Sequence, residues 1–222
     1  MDYVPYDFCF RVAAALSKPS TLRGKLANRL WESAIEKVCA NRIETLRIVE
    51  LNEAWKYGLF GPNQERSFSF EELRKTDPKY LHISTVAFSE LCGFNDSNLS
   101  LSSFEEVMQI VKYTLPAVSM ADFTVNATFC CKQMTELLSL YDNSSIYSLD
   151  IPTMPSSDET IEEFIKVHLK SDSLKELDVS SHFQLPELHA AIEEYVLNKT
   201  FVEVFSNLYV KKKFICICTA GS

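Results

Sequence analysis

The sequence predicts an α/β fold, a short solenoid with parallel strands on one face and helices on the other, preceded by a small helical region. Three observations predict it. Short apolar segments that contain aspartate recur at a fixed step, helix-like segments alternate with them, and the first 60 residues differ from the rest in charge. Residues 1–60 have a balance of about +2, whereas the remainder gives the chain its formal charge of −8.

Three segments share the template apolar-x-x-apolar-Asp-apolar: V-S-M-A-D-F (118–123), I-Y-S-L-D-I (146–151) and L-K-E-L-D-V (174–179). Their aspartates, Asp122, Asp150 and Asp178, follow one another at equal steps of 28 residues. A looser copy lies at 201–206. Another copy, at 80–85, precedes the set at a longer step, which an insertion at 93–103 would explain. Alternating apolar and polar positions in short runs predict strands with one buried face.

Helix-like segments lie between the strands. Most pair apolar residues at positions i and i+3 around two glutamates, beginning at Phe70, Phe104, Ile161 and Ile192, with a weaker copy at Met134. Ser102-Ser103 and residues 156–158 precede two of them, as helix N-caps do. Strands that alternate with helices in this way predict βα units and a parallel sheet.

A doubly wound sheet remains the alternative fold, because its strands also alternate with helices. The equal step favours the solenoid, since stacked units of one kind need equal lengths of chain. The sequence then divides into a helical region (1–40), a β-rich connector with a hairpin (41–65) and the repeat-like part (66–222).

Composition and motifs exclude several function classes. A pI near 5.1 argues against a nucleic-acid binder, and no apolar run approaches the roughly 20 residues that span a bilayer. Seven scattered cysteines and opening residues unlike a signal peptide predict a cytoplasmic or nuclear protein. The four histidines lack metal-ligand spacing, and no nucleophile or phosphate-binding motif occurs. We therefore expect no enzyme activity, no metal and no cofactor.

The strand motifs resemble the longer class of leucine-rich repeats, in which L-x-x-L-x-L strands recur every 27–29 residues and a full helix follows each. The resemblance covers about residues 66–206, or five units. The asparagine that usually follows the last strand leucine is present only as Asn126, with Met154 and His182 at the equivalent positions. The resemblance implies a protein-binding solenoid with a concave sheet face.

The opening V-P-Y-D-F-C-F-R-V (4–12) resembles an F-box, in which a Leu-Pro pair precedes an apolar helix, although Val4 replaces the leucine. With the repeats, the chain resembles divergent F-box/leucine-rich-repeat-like proteins of the kind expanded in nematodes. The resemblance implies a substrate-recruiting adaptor of a Skp/cullin-type ubiquitin ligase. Its contacts with the Skp-type linker protein would be Pro5, Phe8, Val12, Leu16 and Leu30. Alternatively, these helices only cap the repeats of a freestanding binding protein.

The aspartates mark the second candidate surface. Side chains alternate along a strand, so residues between the apolar anchors face away from the helices. This surface would include Ser119, Asp122, Tyr147, Asp150, Lys175, Asp178, Val202 and Phe205. Aspartates stacked in register would repel one another, and a basic protein partner would relieve that repulsion. Alternatively, the aspartates serve solubility or bond to nearby backbone.

Overall fold

The structure is a computed structural model, which describes residues 4–15, 29–51, 54–62, 67–89, 98–126, 132–153, 159–179, 186–198 and 203–205. The described residues form an α/β fold with nine strands in one mixed, mostly parallel sheet and seven α-helices. The predicted α/β class is confirmed.

Two helices, α1 (Tyr6–Ala15) and α2 (Arg29–Asn41), pack against each other and form a small core of their own. Helix α1 begins directly after Pro5, whose carbonyl accepts the first helical hydrogen bonds from Phe8 and Cys9. A proline suits this place because the first N–H groups of a helix lack intrahelical partners. The buried residues of this core are Cys9, Phe10, Ala13, Ala34, Ile35 and Val38.

The connector contains the expected hairpin. Strands β1 (Arg42–Leu51) and β2 (Ala54–Phe60) pair antiparallel, with Leu51 opposite Ala54. Two short strands, β3 (Ser67–Phe68) and β5 (Ser100–Ser102), pair with the outer edge of β2. The predicted insertion at 93–103 therefore contains a strand that the sequence did not indicate. Strand β1 also pairs in parallel with β4 (His82–Ser89), so the connector and the repeats share one sheet.

The parallel strands follow chain order across the sheet. After β1 and β4 come β6 (Val118–Asn126), β7 (Ile146–Thr153), β8 (Glu176–Val179) and β9 (Glu203–Phe205). Each of these strands pairs in parallel with the next one along the chain. The strand order never reverses in this part of the sheet, whereas a doubly wound sheet contains such a reversal.

Five helices alternate with these strands, and each contains one of the predicted segments. They are α3 (Phe70–Leu73), α4 (Phe104–Thr114), α5 (Lys132–Ser139), α6 (Glu159–Leu169) and α7 (Pro186–Asn198). Ser103 caps α4 as expected, because its hydroxyl accepts the Glu106 N–H at 3.2 Å. The predicted cap at 156–158 lies outside the described residues.

The main core lies between the helices and one face of the sheet. Fully buried anchors recur along the strands, namely Leu46, Val86, Phe123, Leu149 and Leu177, together with helix residues such as Ile110, Leu137 and Ile165. On β6, β7 and β8 the intervening residues are half-buried or exposed. We call the sheet surface that carries these intervening residues the open face.

The register corrects one prediction. Asp150 stands opposite Asp178, as the 28-residue step requires, but Asp122 stands opposite Ser148 instead of Asp150. The register of β6 against β7 shifts twice, so that Phe123, and not Ala121, pairs with the anchor Leu149. The equal spacing of Asp122 and Asp150 therefore does not correspond to equal structural positions.

Candidate functional site

Four carboxylates lie close together on the open face. Asp122, Asp150, Glu176 and Asp178 belong to the neighbouring strands β6, β7 and β8. The register arranges them in two rows across the strands: Asp122–Ser148–Glu176 and Thr124–Asp150–Asp178. Because adjacent strands are about 4.8 Å apart, Asp150 and Asp178 are direct neighbours, and Asp122 and Glu176 are roughly 10 Å apart. We call these four residues the acidic rows.

The acidic rows are electrostatically strained. Partial burial, and then the Asp178 carboxylate, raise the pKa of Asp150. Partial burial, and then Glu176, raise the pKa of Asp122. Desolvation and like charges both disfavour an ionised carboxylate. A cation placed over these rows would therefore be bound favourably, since it would offset both effects.

The segment that contains Leu99 covers the sheet at β2, beside the open face. Gly58 points to this face, and a Cβ there would meet the Phe60 ring and, at 2.7 Å, a Leu99 methyl group. Leu99 therefore packs directly on the backbone of β2, where only glycine leaves enough space. Arg47 stands beside Gly58 in the register and is half-buried. Beyond Arg47 this face carries small, half-buried residues, among them Thr85, Ala87, Thr124 and Ser148.

The other expected residues of this face are placed differently. Tyr147 and Lys175 are half-buried and adjacent at the strand entrances, where the Lys175 N–H donates to the Tyr147 carbonyl at 2.8 Å. They lie one residue before the acidic rows begin. Val202 lies outside the described residues, and for Ser119 and Phe205 the structure describes the backbone alone.

Sequence reasoning missed Glu176 as a member of the acidic rows. It occupies the third position of L-K-E-L-D-V, two residues before Asp178, and points to the same face of β8. Period-two alternation read backwards from Asp178 would have identified it. The template was defined by the equal spacing of the aspartates, and it therefore did not include the glutamate.

The second candidate surface lies on the helix pair. Phe8 is 54% exposed, Val12 36% and Leu30 46%, and Pro5 is also exposed. Phe8 and Val12 are four residues apart and share one side of α1, while Leu30 belongs to the first turn of α2. We call Pro5, Phe8, Val12 and Leu30 the apolar patch. The fifth residue expected there, Leu16, lies outside the described residues.

The helix pair has a second, inner side that contacts the 3-10 helix Pro78–Tyr80, which lies directly before β4. The Phe10 ring meets the Tyr80 ring edge-on at a centroid distance of 5.1 Å, and the Lys37 ammonium lies 3.6 Å from the centre of the same ring. On the outer side, Trp31 contacts Phe8 with a centroid distance of 6.3 Å. Tyr80 thus fixes the helix pair, and the apolar patch points away from that contact.

The described ranges contain no group of three or more His, Cys, Asp or Glu side chains able to hold a metal ion. Among their helices, none has both the length and the apolar composition needed to cross a bilayer.

Comparison with known proteins adds no family. No protein-family model matches the chain, and no curated protein or solved structure matches it significantly.

Proposed function

We propose that the protein is a substrate-recruiting adaptor of a Skp/cullin-type ubiquitin ligase. The apolar patch docks the Skp-type linker protein, and the open face of a leucine-rich-repeat-like solenoid holds the target. The chain acts in the cytoplasm or nucleus, without a cofactor and without catalytic activity of its own.

The observation that carries the proposal is the exposure of Phe8, Val12 and Leu30 on a helix pair with its own core. A helix that serves only as a cap is expected to bury its large apolar side chains. Exposed apolar clusters of this kind characterise interaction surfaces. The F-box resemblance implies linker contacts at these same residues.

The open face supports the second half of the proposal. Its acidic rows fit a target of basic character, whose cations would relieve the repulsion between Asp150 and Asp178. Strands in chain order and helices between them are what a solenoid of βα units requires.

The contact with Tyr80 favours a second candidate, a freestanding binding protein of the same repeat type. In that case Phe10 and Lys37 anchor the helix pair as a cap on Tyr80, directly before β4, and no ligase is involved. The cap and the adaptor use opposite sides of the pair, so the outer side decides between them.

A binding assay between the full chain and a purified Skp-type linker protein tests the adaptor function. We expect the wild-type chain to bind, and the double variant Phe8→Ser/Leu30→Ser to bind at least tenfold more weakly because the patch loses its largest exposed side chains. Leu197→Ser is the matched control, since Leu197 is 84% exposed on α7, away from the patch. If the wild-type chain does not bind the linker, the adaptor function is wrong and the cap remains.

A further inference from the structure

The open face carries opposite charges on its two sides. Arg47 stands on β1, in the register row that continues through Thr124 to Asp150 and Asp178. Residues at one register position of neighbouring strands point to the same face of a sheet, so Arg47 shares the open face with the acidic rows. Its guanidinium lies 5.9 Å from the centre of the Phe60 ring on β2. The face is therefore cationic at β1 and anionic at β7 and β8.

A second cation extends the positive side. Lys56 on β2 stands opposite Val49, which follows Arg47 by two residues on the same face of β1. Lys56 is half-buried, as Arg47 is. The carboxylates of β1 lie elsewhere, because Glu50 belongs to the helix side of the strand and Glu44 to the strand entrance. The two ends of the open face thus differ in sign.

The floor between the charged ends is low. Its side chains are small and half-buried, and three of the four carry hydroxyl groups: Thr85, Ala87, Thr124 and Ser148. Hydroxyl groups both donate and accept hydrogen bonds, so they suit the N–H and C=O groups of a peptide backbone. An extended peptide segment can therefore approach the sheet closely between the two charged ends.

The separation of the charges sets the spacing that an occupant needs. Three steps between neighbouring strands separate Arg47 on β1 from Asp150 on β7. At about 4.8 Å per step the two residues are roughly 14 Å apart. An extended peptide rises about 3.4 Å per residue, so four residues span the same roughly 14 Å. Side chains four positions apart in an extended chain also point to one side, because they alternate with a period of two.

We propose that the open face recognises an extended segment of the target with one acidic and one basic side chain four residues apart, an inference that rests on the proposed function. The segment crosses the parallel strands. Its carboxylate pairs with Arg47, and its cation lies over Asp150 and Asp178. Charge complementarity at both ends favours this segment over a purely basic one, which would bring a like charge against Arg47.

The test is an NMR titration of the full-length chain with capped pentapeptides of one composition. Two of them, Glu-Ser-Gly-Ser-Lys and Lys-Ser-Gly-Ser-Glu, hold the charges four residues apart in the two possible orders. The third, Ser-Glu-Lys-Gly-Ser, places the charges side by side. We expect one of the spaced peptides to shift amide signals of β1, β4, β6 and β7 and to bind at least fivefold more tightly than the third.

Paired changes in the protein and the peptide locate the contact. Arg47→Gln should weaken binding of the spaced peptide at least fivefold. The same variant should not weaken a spaced peptide with Gln in place of Glu, because that peptide already lacks the interaction. Arg74→Gln is the matched control, since Arg74 lies 5.6 Å from the centre of the Phe70 ring at the end of α3 and loses the same charge. It should leave peptide binding unchanged.

Three results would overturn the proposal. Equal binding of the spaced and adjacent peptides would show that the face does not read the separation of charges. Absence of shifts in β1, β4, β6 and β7 would remove the peptide from the open face. Equal losses in Arg47→Gln and Arg74→Gln would leave net charge as the cause. The linker assay reports separately on the adaptor function, because the apolar patch and the open face share no residue.

Discussion

A histidine lies among the apolar side chains of the core. His168 is fully buried at the end of α6, its ring meets Phe164 at a centroid distance of 4.5 Å, and neither ring nitrogen has a hydrogen-bond partner among the described residues. Burial lowers the pKa of His168 to about 4. The folded protein therefore holds this imidazole neutral, whereas the unfolded chain protonates it near the ordinary pKa of about 6.5.

Acid should consequently destabilise the fold through His168. Between pH 6.5 and 4 the unfolded chain binds the additional proton, so the free energy of unfolding falls as the pH falls through this range. From pH 7.5 to pH 5 we expect His168 to contribute a loss of about 2 kcal/mol, measured by urea denaturation. His168→Leu should lack this part of the loss. If wild type and variant lose equal stability, the imidazole is not buried in its neutral form.

The acidic rows give a prediction about binding at a single residue. Asp150→Lys places a cation directly opposite Asp178, which turns a repulsive cross-strand pair into an attractive one. The free energy of unfolding should stay equal or rise by a few tenths of a kcal/mol. Binding of heptalysine, measured by titration calorimetry at low salt, should weaken at least tenfold.

Glu105→Lys is the control for this experiment, because it makes the same charge change on the exposed surface of α4. A comparable loss of heptalysine binding in the control would mean that net charge, and not the acidic rows, attracts the peptide. Unchanged binding in Asp150→Lys would remove the rows as a binding site.

At the scale of elements, the helices were predictable because each segment contains its own signals. The S-F-E-E sequence occurs twice, and both copies begin helices: Ser103 caps α4, and Ser69 forms a full capping box with Glu72 at α3. Of these two caps, the sequence analysis predicted only Ser103. Helix α3 is a single turn, since its last residue, Leu73, is followed directly by turn residues.

The helix pair shows what local patterns leave undecided. The spacing of Phe8 and Val12 indicated an apolar side of α1, but it could not show whether that side is buried. The structure buries Cys9, Phe10 and Ala13 in its place. The reason is that α2 offers small and branched residues, notably Ala34, against which a close helix contact forms. Such a choice depends on the partner helix and is invisible in either segment alone.

The separate core of the helix pair predicts local stability. Ile35→Ala removes a side chain that is 1% exposed and should cost about 2–5 kcal/mol within the pair. Hydrogen exchange should accelerate for amides of α1 and α2, while those of β6 and β7 keep their protection. Equal acceleration throughout the chain would show that the pair and the sheet unfold as one unit.

At the scale of the whole molecule, the alternation of strands and helices predicted the α/β class, but the register could not be predicted. Asp122 and Asp150 matched in sequence and not in space, because the register of β6 against β7 shifts on both sides of Phe123. That ring lies between Phe88, Tyr141 and Phe164, with centroid distances of 5.0–5.5 Å. These contacts join residues far apart in the chain, and a search for equal spacing does not detect them.

The stacked anchors predict a global effect for one substitution. Leu177 is fully buried on β8 between Leu149 and Val204 in the register. Leu177→Ala should lower the free energy of unfolding by about 2–5 kcal/mol, since the parallel strands share one core. Leu197→Ala, at an exposed position, should change it by less than about 0.5 kcal/mol. Both values follow from chemical denaturation monitored by circular dichroism, and similar small losses would contradict the shared core.

The order of the parallel strands has a consequence for synthesis on the ribosome. Each of these strands finds its neighbour in sequence already present when it leaves the exit tunnel, so β4 can dock on β1, then β6 on β4, and so on to β9. No early strand has to wait for a late one in this series. The nascent chain can therefore extend the parallel part of its sheet in one direction while translation continues, and on that side only the newest strand has an unpaired edge.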